Sequence, residues 1–203
     1  MVKSNRPLIM GENGAVATNH PQATSVGLDV LRSGGNAVDA SIAVSLTLGV
    51  VEPAMSGLGG DGFYHVWLAG SAKTLVYNGT GTAPKAAVKG EIFSKGIPVM
   101  GPHSVSVPGM VGGLGAMHKD YGTKSWQSLC DRAACLAGGG FFVTHAYRSF
   151  AKQASEKIQL NEVSQEIFLN KSASPDIGTK IKQSKLCRTL TQLGDEGPDG
   201  FYR

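Results

Sequence analysis

The sequence predicts an α+β fold whose C-terminal half is helical. Two segments in the first quarter of the chain have the flanking residues of helices, and two short segments after them are rich in β-branched and aromatic residues. From Gly109 onward the pattern is helical. Of the 203 residues, 41% are hydrophobic and 17% are charged, which is typical of a chain that folds around a buried core. The length suits one domain rather than two.

The first four elements follow from their end residues. Residues 14–20, "GAVATNH", predict a short buried strand that ends at Pro21. Pro21 then begins a helix, and a pair of glycines follows its last turn, the usual asymmetry of helix ends. Asn36 is a suitable N-cap for a second helix, with Asp39 in the first turn, and Pro53 ends it. This second helix is apolar on nearly every side, so we expect a buried helical hairpin laid against a sheet.

The middle of the chain predicts a β-hairpin followed by a long irregular segment. Residues 63–69 and 74–79 have the composition of two strands, with "GSAK" as the turn between them. We expect the first of them to be a central strand of the sheet. The next segment is interrupted by prolines too often for long regular elements. They are Pro84, Pro98, Pro102 and Pro108.

Four helices are predicted in the second half of the chain. The first covers residues 110–122 and is weakened by its glycines. The second follows Ser125, a suitable N-cap, and stops at a run of glycines. A third helix over residues 144–160 and a short amphipathic helix over residues 185–197 complete the set.

The charge distribution and the spacing of metal-binding residue types exclude several functional classes. The net charge is +4, but Lys and Arg are dispersed apart from a mild cluster at 178–188, so we expect no nucleic-acid partner. The three cysteines have no metal-ligand spacing, which predicts reduced thiols rather than a disulfide framework or a zinc site. The histidines are also scattered, so we expect neither a metal nor a cofactor.

No targeting or membrane segment is evident in the sequence. The first ten residues, "MVKSNRPLIM", lack the apolar region and the cleavage site of a signal peptide. The longest apolar segment, residues 37–51, is interrupted by polar residues and is shorter than the roughly 20 residues of a membrane-spanning helix. These features predict a cytoplasmic protein without a membrane partner.

The stretch "EPAMSGLGGDGFYHVW" contains a glycine spacing that resembles a dinucleotide-binding fingerprint. Gly57, Gly59 and Gly62 fit the pattern G-x-G-x-x-G. A genuine fingerprint follows a strand and opens a helix, whereas here a helix precedes the glycines and a strand follows them. The acidic residue expected about 20 positions further on is also missing. We therefore interpret these glycines as a tight turn from the second helix into the first strand.

A set of motifs extends over nearly the whole chain in a specific order. A His-Pro pair opens the first helix, and "GGNAVDA", "LGVVEP" and "SGLGGDGF" follow it. Further matches are "SVSVPGMVGGL", "YGTKSW" and "KLCRTLTQLGDEGPDGFY". Together these motifs, from about Gly11 to Tyr202, closely resemble the large subunit of the γ-glutamyltranspeptidase family, a branch of the N-terminal-nucleophile hydrolases.

The resemblance implies an αββα sandwich built from one precursor that cuts itself into a large and a small subunit. It also implies amide hydrolysis or acyl transfer by a threonine at the new N-terminus of the small subunit. Residues 1–203 correspond to a single partial domain from the large subunit, so the catalytic threonine lies beyond this chain. The expected partners are a small-molecule amide substrate and the small subunit. We expect the chain alone to be inactive and, with an apolar sheet face uncovered, poorly soluble.

One departure from the family pattern bears on the substrate. Family members that act on γ-glutamyl groups carry "R-E-x-x-P" after the second strand, and the arginine pairs with a substrate carboxylate. This chain has "NGTGTAP", with Thr80 in the place of the arginine. The resemblance therefore assigns Asn78 and Thr80 to substrate binding and leaves a second function open, a small-molecule amidohydrolase such as an oxamate amidohydrolase. A fragment that only binds a partner subunit is a further alternative.

Other polar residues have simpler interpretations. We interpret His20 as a capping or core residue, whereas His65 lies in a strand and faces either a pocket or solvent. Glu52 and Asp61 bracket the glycine turn, but their spacing is weak evidence for a pair of acid–base catalysts.

Overall fold

The computed structural model describes residues 9–85, 87 and 96–203. Over these residues the protein contains eight α-helices and two small antiparallel sheets, so the predicted α+β class is confirmed. In chain order the elements are α1 (Pro21–Arg32), α2 (Ala37–Val51), β1 (Gly62–Leu68), β2 (Lys73–Gly79), α3 (Met110–Tyr121), α4 (Trp126–Gly139), β3 (Phe141–Phe142), α5 (His145–Gln153), α6 (Ser155–Gln159), α7 (Glu162–Phe168), β4 (Lys180–Ile181) and α8 (Ser184–Glu196).

Helices α1 and α2 form the predicted helical hairpin, and side chains cap both of them. Nδ1 of His20 accepts a hydrogen bond from the backbone N–H of Gln22 (3.2 Å), which confirms the capping role of this histidine. At the start of α2, the N–H of Asp39 donates to Oδ1 of Asn36 and the N–H of Asn36 donates to Oδ2 of Asp39, each at 2.9 Å. This reciprocal pair satisfies two donors that the helix itself leaves unpaired.

Helix α2 lies at the centre of the core. Ten of its 15 residues are buried, and it packs against α1, α4 and α3. The prediction that the helical hairpin lies against a sheet is wrong for the described residues, since α3 is the helix that packs mainly on β1 and β2. A helix that is apolar on all sides needs cover on all sides, and three neighbouring helices supply it better than one sheet face.

Strands β1 and β2 form the predicted β-hairpin, with Tyr64 opposite Tyr77 and His65 opposite Val76. The side chains of Tyr64 and Tyr77 face the core, on the side of α3. The other side, which we call the outer face, is exposed. It consists of Phe63, His65, Trp67, Thr74, Val76 and Asn78.

The exposure of the outer face and the pairing of β1 test the prediction that β1 is a central strand. Phe63, Trp67 and Val76 are 69%, 60% and 63% exposed. Among the residues that the structure describes, β1 pairs with β2 alone, so its predicted central position in a sheet is not observed. His65, whose direction the sequence left open, faces solvent in this structure.

The predicted buried strand at residues 14–20 is wrong. This segment is not part of either sheet, and Ala15 and Ala17 are exposed. Val16 instead lies beside α1, where a Cβ on Gly27 would come within 2.9 Å of its Cγ1. Small β-forming residues become a strand only when a neighbouring strand pairs with them. No strand of the described chain pairs with this segment.

The C-terminal half is helical, as predicted. Its helix α4 packs on the central helix α2, and α8 packs on α4. The indole Nε1–H of Trp126 donates to the backbone oxygen of Leu193 (2.9 Å) inside this contact. Leu129 and Leu190 pack there with almost no exposed surface. Ser125 caps α4 by accepting a hydrogen bond from the N–H of Ser128, so the predicted start of this helix is confirmed.

The single helix predicted over residues 144–160 is divided. Helix α5 ends at Gln153, and the Ser155 hydroxyl donates to the backbone oxygen of Lys152 (3.0 Å) at the break. Such a side-chain bond competes with the helical pattern. The sequence pattern also missed α7, which Asn161 caps by accepting a hydrogen bond from the N–H of Ser164 (2.9 Å).

The proline-rich segment after β2 is irregular where the structure describes it, apart from a short 3-10 turn at Pro102–Ser104. Residues 86 and 88–95 of that predicted loop lie outside the described residues. None of the described helices is both long enough and apolar enough to cross a membrane.

Three backbone segments meet at a contact that we call the glycine junction, formed by Gly60 and Gly62 on one segment, Gly79 on the second and Gly109 on the third. A Cβ on Gly109 would overlap the backbone oxygen of Gly79. A Cβ on Gly79 would come within 2.9 Å of the backbone oxygen of Gly62. The N–H groups of Gly109 and Met110 both donate to the oxygen of Gly60 (3.2 and 3.0 Å). The junction thereby fixes the β-hairpin to the start of α3.

We expect Gly109→Ala to lower the free energy of unfolding by about 2 kcal/mol or more, because the added methyl group has no space and two backbones must move apart. The matched control is Gly59→Ala, where no atom lies within 4 Å of the new methyl group and the change should stay within about 0.5 kcal/mol. Urea unfolding followed by circular dichroism measures both. Equal losses in the two variants would contradict the close contact at Gly109.

Candidate functional site

The two residues assigned to substrate binding lie together at the C-terminal end of β2. Oδ1 of Asn78 accepts two hydrogen bonds from Thr80, one from the backbone N–H (3.0 Å) and one from the hydroxyl (2.7 Å). Both residues are exposed. The amide side chain therefore fixes the direction of the threonine hydroxyl in a short turn, a common role for asparagine. We call residues 78–81 the Asn78 turn.

A carboxylate connects the Asn78 turn to the glycine turn before β1. The N–H of Gly81 donates to Oδ1 of Asp61 (2.8 Å). One residue further, the N–H of Val107 donates to the backbone oxygen of Thr82 (2.9 Å). The sequence interpretation weighed Asp61 only as a weak acid–base candidate and missed this contact, because no local pattern connects positions 20 residues apart.

A groove of about 500 Å³ lies beside the Asn78 turn, between the end of α2, the glycine turn and the starts of β1 and α3. Asp61 lines this groove, whereas Asn78 and Thr80 do not. Its other lining residues are Ser45, Leu48, Pro53, Ala54, Met55, Ser56, Gly57, Gly59, Gly60, Gly62, Tyr64 and Met110. The chain order of helix, glycine turn and strand is the order that argued against a dinucleotide site.

The groove is apolar on one side and offers backbone groups and a single carboxylate on the other. The Tyr64 hydroxyl donates to the backbone oxygen of Met110 (3.2 Å). Burial, together with the nearby Tyr202 and Asp61, raises the pKa of Tyr64 to about 12, so this phenol stays neutral at ordinary pH. Among the described lining residues Asp61 is the one charged group.

The threonines of the described chain do not form a catalytic centre. The Thr18 hydroxyl donates to the backbone oxygen of His20 (2.8 Å), and Thr47 is buried inside α2. Thr80 is held in the Asn78 turn. All of them lie within the chain, so none has the free α-amine that activates an N-terminal threonine.

The histidines and cysteines are dispersed in the structure as they are in the sequence. Burial lowers the pKa of His20 below its ordinary value, so this capping residue is neutral at pH 7. Cys130, Cys135 and Cys187 are free thiols, the first buried and the second exposed. In the described part of the chain, no three His, Cys, Asp or Glu side chains lie close enough together to hold a metal ion.

The family comparison supports the resemblance seen in the motifs. The family model described as Gamma-glutamyltranspeptidase matches residues 23–203. The chain is 36% identical over 199 residues to a glutathione hydrolase proenzyme from Pseudomonas sp. (strain A14), covering 95% of this chain and 34% of that protein. It is 34% identical over 200 residues to glutathione hydrolase 2 from Arabidopsis thaliana, covering 98% of this chain and 34% of that protein. The chain thus spans about a third of the length of these relatives.

Solved structures share the fold. The γ-glutamyltranspeptidase of Helicobacter pylori superposes with a TM-score of 0.91 at 32% identity, over 97% of this chain and 58% of that one. A cephalosporin acylase from Bacillus halodurans gives a TM-score of 0.85 at 29% identity, over 100% of this chain and 41% of that one. The predicted fold type is confirmed for the portion present. With a family match over most of its length, the chain belongs to the γ-glutamyltranspeptidase family.

Proposed function

We propose that residues 1–203 are a partial domain from the large subunit of an amide hydrolase or acyl transferase of this family. The observation that carries the proposal is the family match over residues 23–203, together with the superposition on the H. pylori enzyme. The family motifs lie on the helical hairpin, the glycine turn, the start of α3 and α8. Of these, the end of α2, the glycine turn and the start of α3 line the groove. A cytoplasmic location stays a prediction from the sequence.

The proposed chemistry uses a threonine that is not part of this chain. Its hydroxyl oxygen attacks the carbonyl carbon of an amide, its α-amine accepts the hydroxyl proton, and the amine half of the substrate leaves with that proton. Water or an acceptor amine then takes the acyl group from the threonine. Several relatives are called proenzymes, which supports a precursor that is processed to expose this residue.

The small subunit of the same precursor is the proposed partner. The outer face of the β-hairpin presents Phe63, Trp67 and Val76 to solvent, and apolar aromatic surfaces of this kind are typical of contact surfaces. The chain corresponds to about a third of its relatives, so the remainder of such a precursor would be large enough to cover this face.

The structure of the Asn78 turn favours a second candidate substrate class, a small amide without the γ-glutamyl α-carboxylate. Thr80 offers a neutral hydroxyl already bonded to Asn78, and the Asn78 turn holds no cation that could pair with the α-carboxylate of a γ-glutamyl group. A guanidinium at this position would instead form a paired, charge-assisted contact. The similarity to a cephalosporin acylase over the whole chain is in line with this alternative.

Two substrates distinguish these candidates in a protein that combines this chain with the remainder of the precursor. We expect hydrolysis of oxamate to exceed that of a γ-glutamyl anilide by at least about tenfold in kcat/KM, the cost of one missing charge-assisted contact. The variant Thr80→Arg supplies the missing guanidinium, so it should bring the kcat/KM values for the two substrates closer together. Rapid turnover of the anilide by the unmodified protein would show that Thr80 does not exclude the γ-glutamyl group.

A further inference from the structure

We infer that Asp61 is a positioning residue that holds the Asn78 turn against the scaffold and thereby fixes the direction in which Thr80 meets a substrate. The inference rests on the proposed function for its consequence in catalysis. Its structural part is that the position of the turn depends on Asp61, and this part is argued from the contacts of the described residues alone.

Two hydrogen bonds orient Thr80, but only within the turn. Asn78 accepts both of them, and Asn78 itself lies at the exposed end of β2. These bonds fix the threonine hydroxyl relative to the asparagine side chain. They do not fix the turn relative to the groove, which needs a contact with another part of the chain.

Asp61 supplies that contact through the N–H of Gly81 (2.8 Å). The carboxylate comes directly after Gly60, whose backbone oxygen accepts the N–H groups of Gly109 and Met110. Asp61 is therefore anchored at the glycine junction and joins the Asn78 turn to the start of α3. An ionised acceptor also makes a stronger hydrogen bond to a backbone N–H than a neutral one.

Residues 106–107 pack against the side of Gly81 that faces away from Asp61. They lie so close that Gly81 has no space for a side chain. A Cβ on Gly81 would overlap the backbone oxygen of Val107 and would approach Ser106 within 2.7 Å of its Cβ. The turn is thus packed against residues 106–107 on one side and bonded to Asp61 on the other. Without the Asp61 bond, the Gly81 N–H would be free to bond to water, and residues 80–81 would be held only on the side of residues 106–107.

Hydrogen exchange of the Gly81 amide tests the structural part in the 203-residue chain. We expect Asp61→Ala to speed this exchange by roughly tenfold, because the bond that protects the amide is lost. Asp61→Asn keeps an oxygen acceptor of the same shape, so exchange should stay within about threefold of the unmodified chain. Asp131→Ala, which removes an exposed carboxylate from α4, is the matched control and should change nothing at Gly81.

Steady-state kinetics of the same variants in the combined protein test the catalytic part. We expect Asp61→Ala to raise KM by roughly 3- to 10-fold with kcat within about twofold, and Asp61→Asn to restore KM. Loss of folded protein would instead lower the apparent kcat and leave KM unchanged. If the combined protein hydrolyses no small amide, the proposed function fails, while the exchange result still decides whether Asp61 holds the turn. Unchanged exchange at Gly81 in Asp61→Ala would overturn the inference.

Discussion

Replacing Asp39 by Ala is expected to lower the free energy of unfolding by about 3–5 kcal/mol, a severe loss for a domain of this size. Its carboxylate is fully buried and accepts hydrogen bonds from the N–H groups of Asn36 (2.9 Å), Thr123 (2.9 Å) and Lys124 (3.2 Å). The Thr123 hydroxyl donates to it as well (2.5 Å). Alanine would remove the shared acceptor of all of these donors at this half-buried contact.

Two companion variants test the origin of this loss by urea unfolding. Asp39→Asn keeps an acceptor but loses the charge, so we expect an intermediate loss of about 2 kcal/mol. Asp29→Ala removes a half-exposed carboxylate whose ion pairs with Arg32 and Arg132 are long (3.6 and 3.7 Å), and should cost less than about 1 kcal/mol. If Asp39→Ala costs no more than Asp29→Ala, the buried network does not stabilise the fold.

The same carboxylate gives the stability a defined pH dependence. Burial raises the pKa of Asp39, but the hydrogen bonds from Thr123, Asn36 and Lys124 together outweigh burial and hold the pKa below its ordinary value. Its contribution is therefore complete above the pKa of the unfolded chain, about 4, and is lost as the pH falls through the lower folded pKa. The difference in stability between the unmodified chain and Asp39→Asn should accordingly shrink below about pH 4.

The second large effect that we expect is self-association through the outer face of the β-hairpin. We expect the isolated chain to self-associate, because Phe63, Trp67 and Val76 expose apolar surface on a sheet whose edges pair with no other strand of the described chain. Replacing all three by threonine keeps the strand preference and removes most of the apolar surface. Size-exclusion chromatography should then show at least about half of the soluble protein as monomer. The same variant should no longer bind the remainder of the precursor.

A control on another surface tests whether the outer face causes the self-association or whether any exposed apolar side chain would do so. Leu160→Thr with Ile177→Thr removes exposed apolar side chains from the C-terminal half and should leave self-association unchanged. A monodisperse monomer of the unmodified chain would contradict the prediction, and so would an equal increase in monomer in the control variant.

The sequence predicts those parts of the fold that depend on neighbouring residues. The caps at His20, Asn36 and Ser125 and the two strands of the β-hairpin are local, and each is found where it is expected. The strand predicted at residues 14–20 is wrong because strand formation requires a partner elsewhere in the chain. The second role of Asp39, its bonds to Thr123, spans 84 residues and leaves no local pattern.

The candidate site was predictable to a smaller degree. Asn78 and Thr80 were assigned from the family resemblance, and the structure places them in one turn, although their contact with a substrate stays a prediction. The contact of Asp61 with Gly81 depends on how three backbone segments meet at the glycine junction. Such a meeting is decided by tertiary packing, so no spacing in the sequence indicates it.

The account rests on the claim that this chain forms the scaffold of an amide hydrolase and that catalysis needs a threonine from the remainder of the precursor. Amide hydrolysis measured for the 203-residue chain alone, and for the chain combined with that remainder, tests this claim most directly. We predict no turnover by the chain alone and clear turnover by the combined protein, lost when the new N-terminal threonine is replaced by alanine. Turnover by the chain alone, or none by the combined protein with oxamate or a γ-glutamyl anilide, would contradict it.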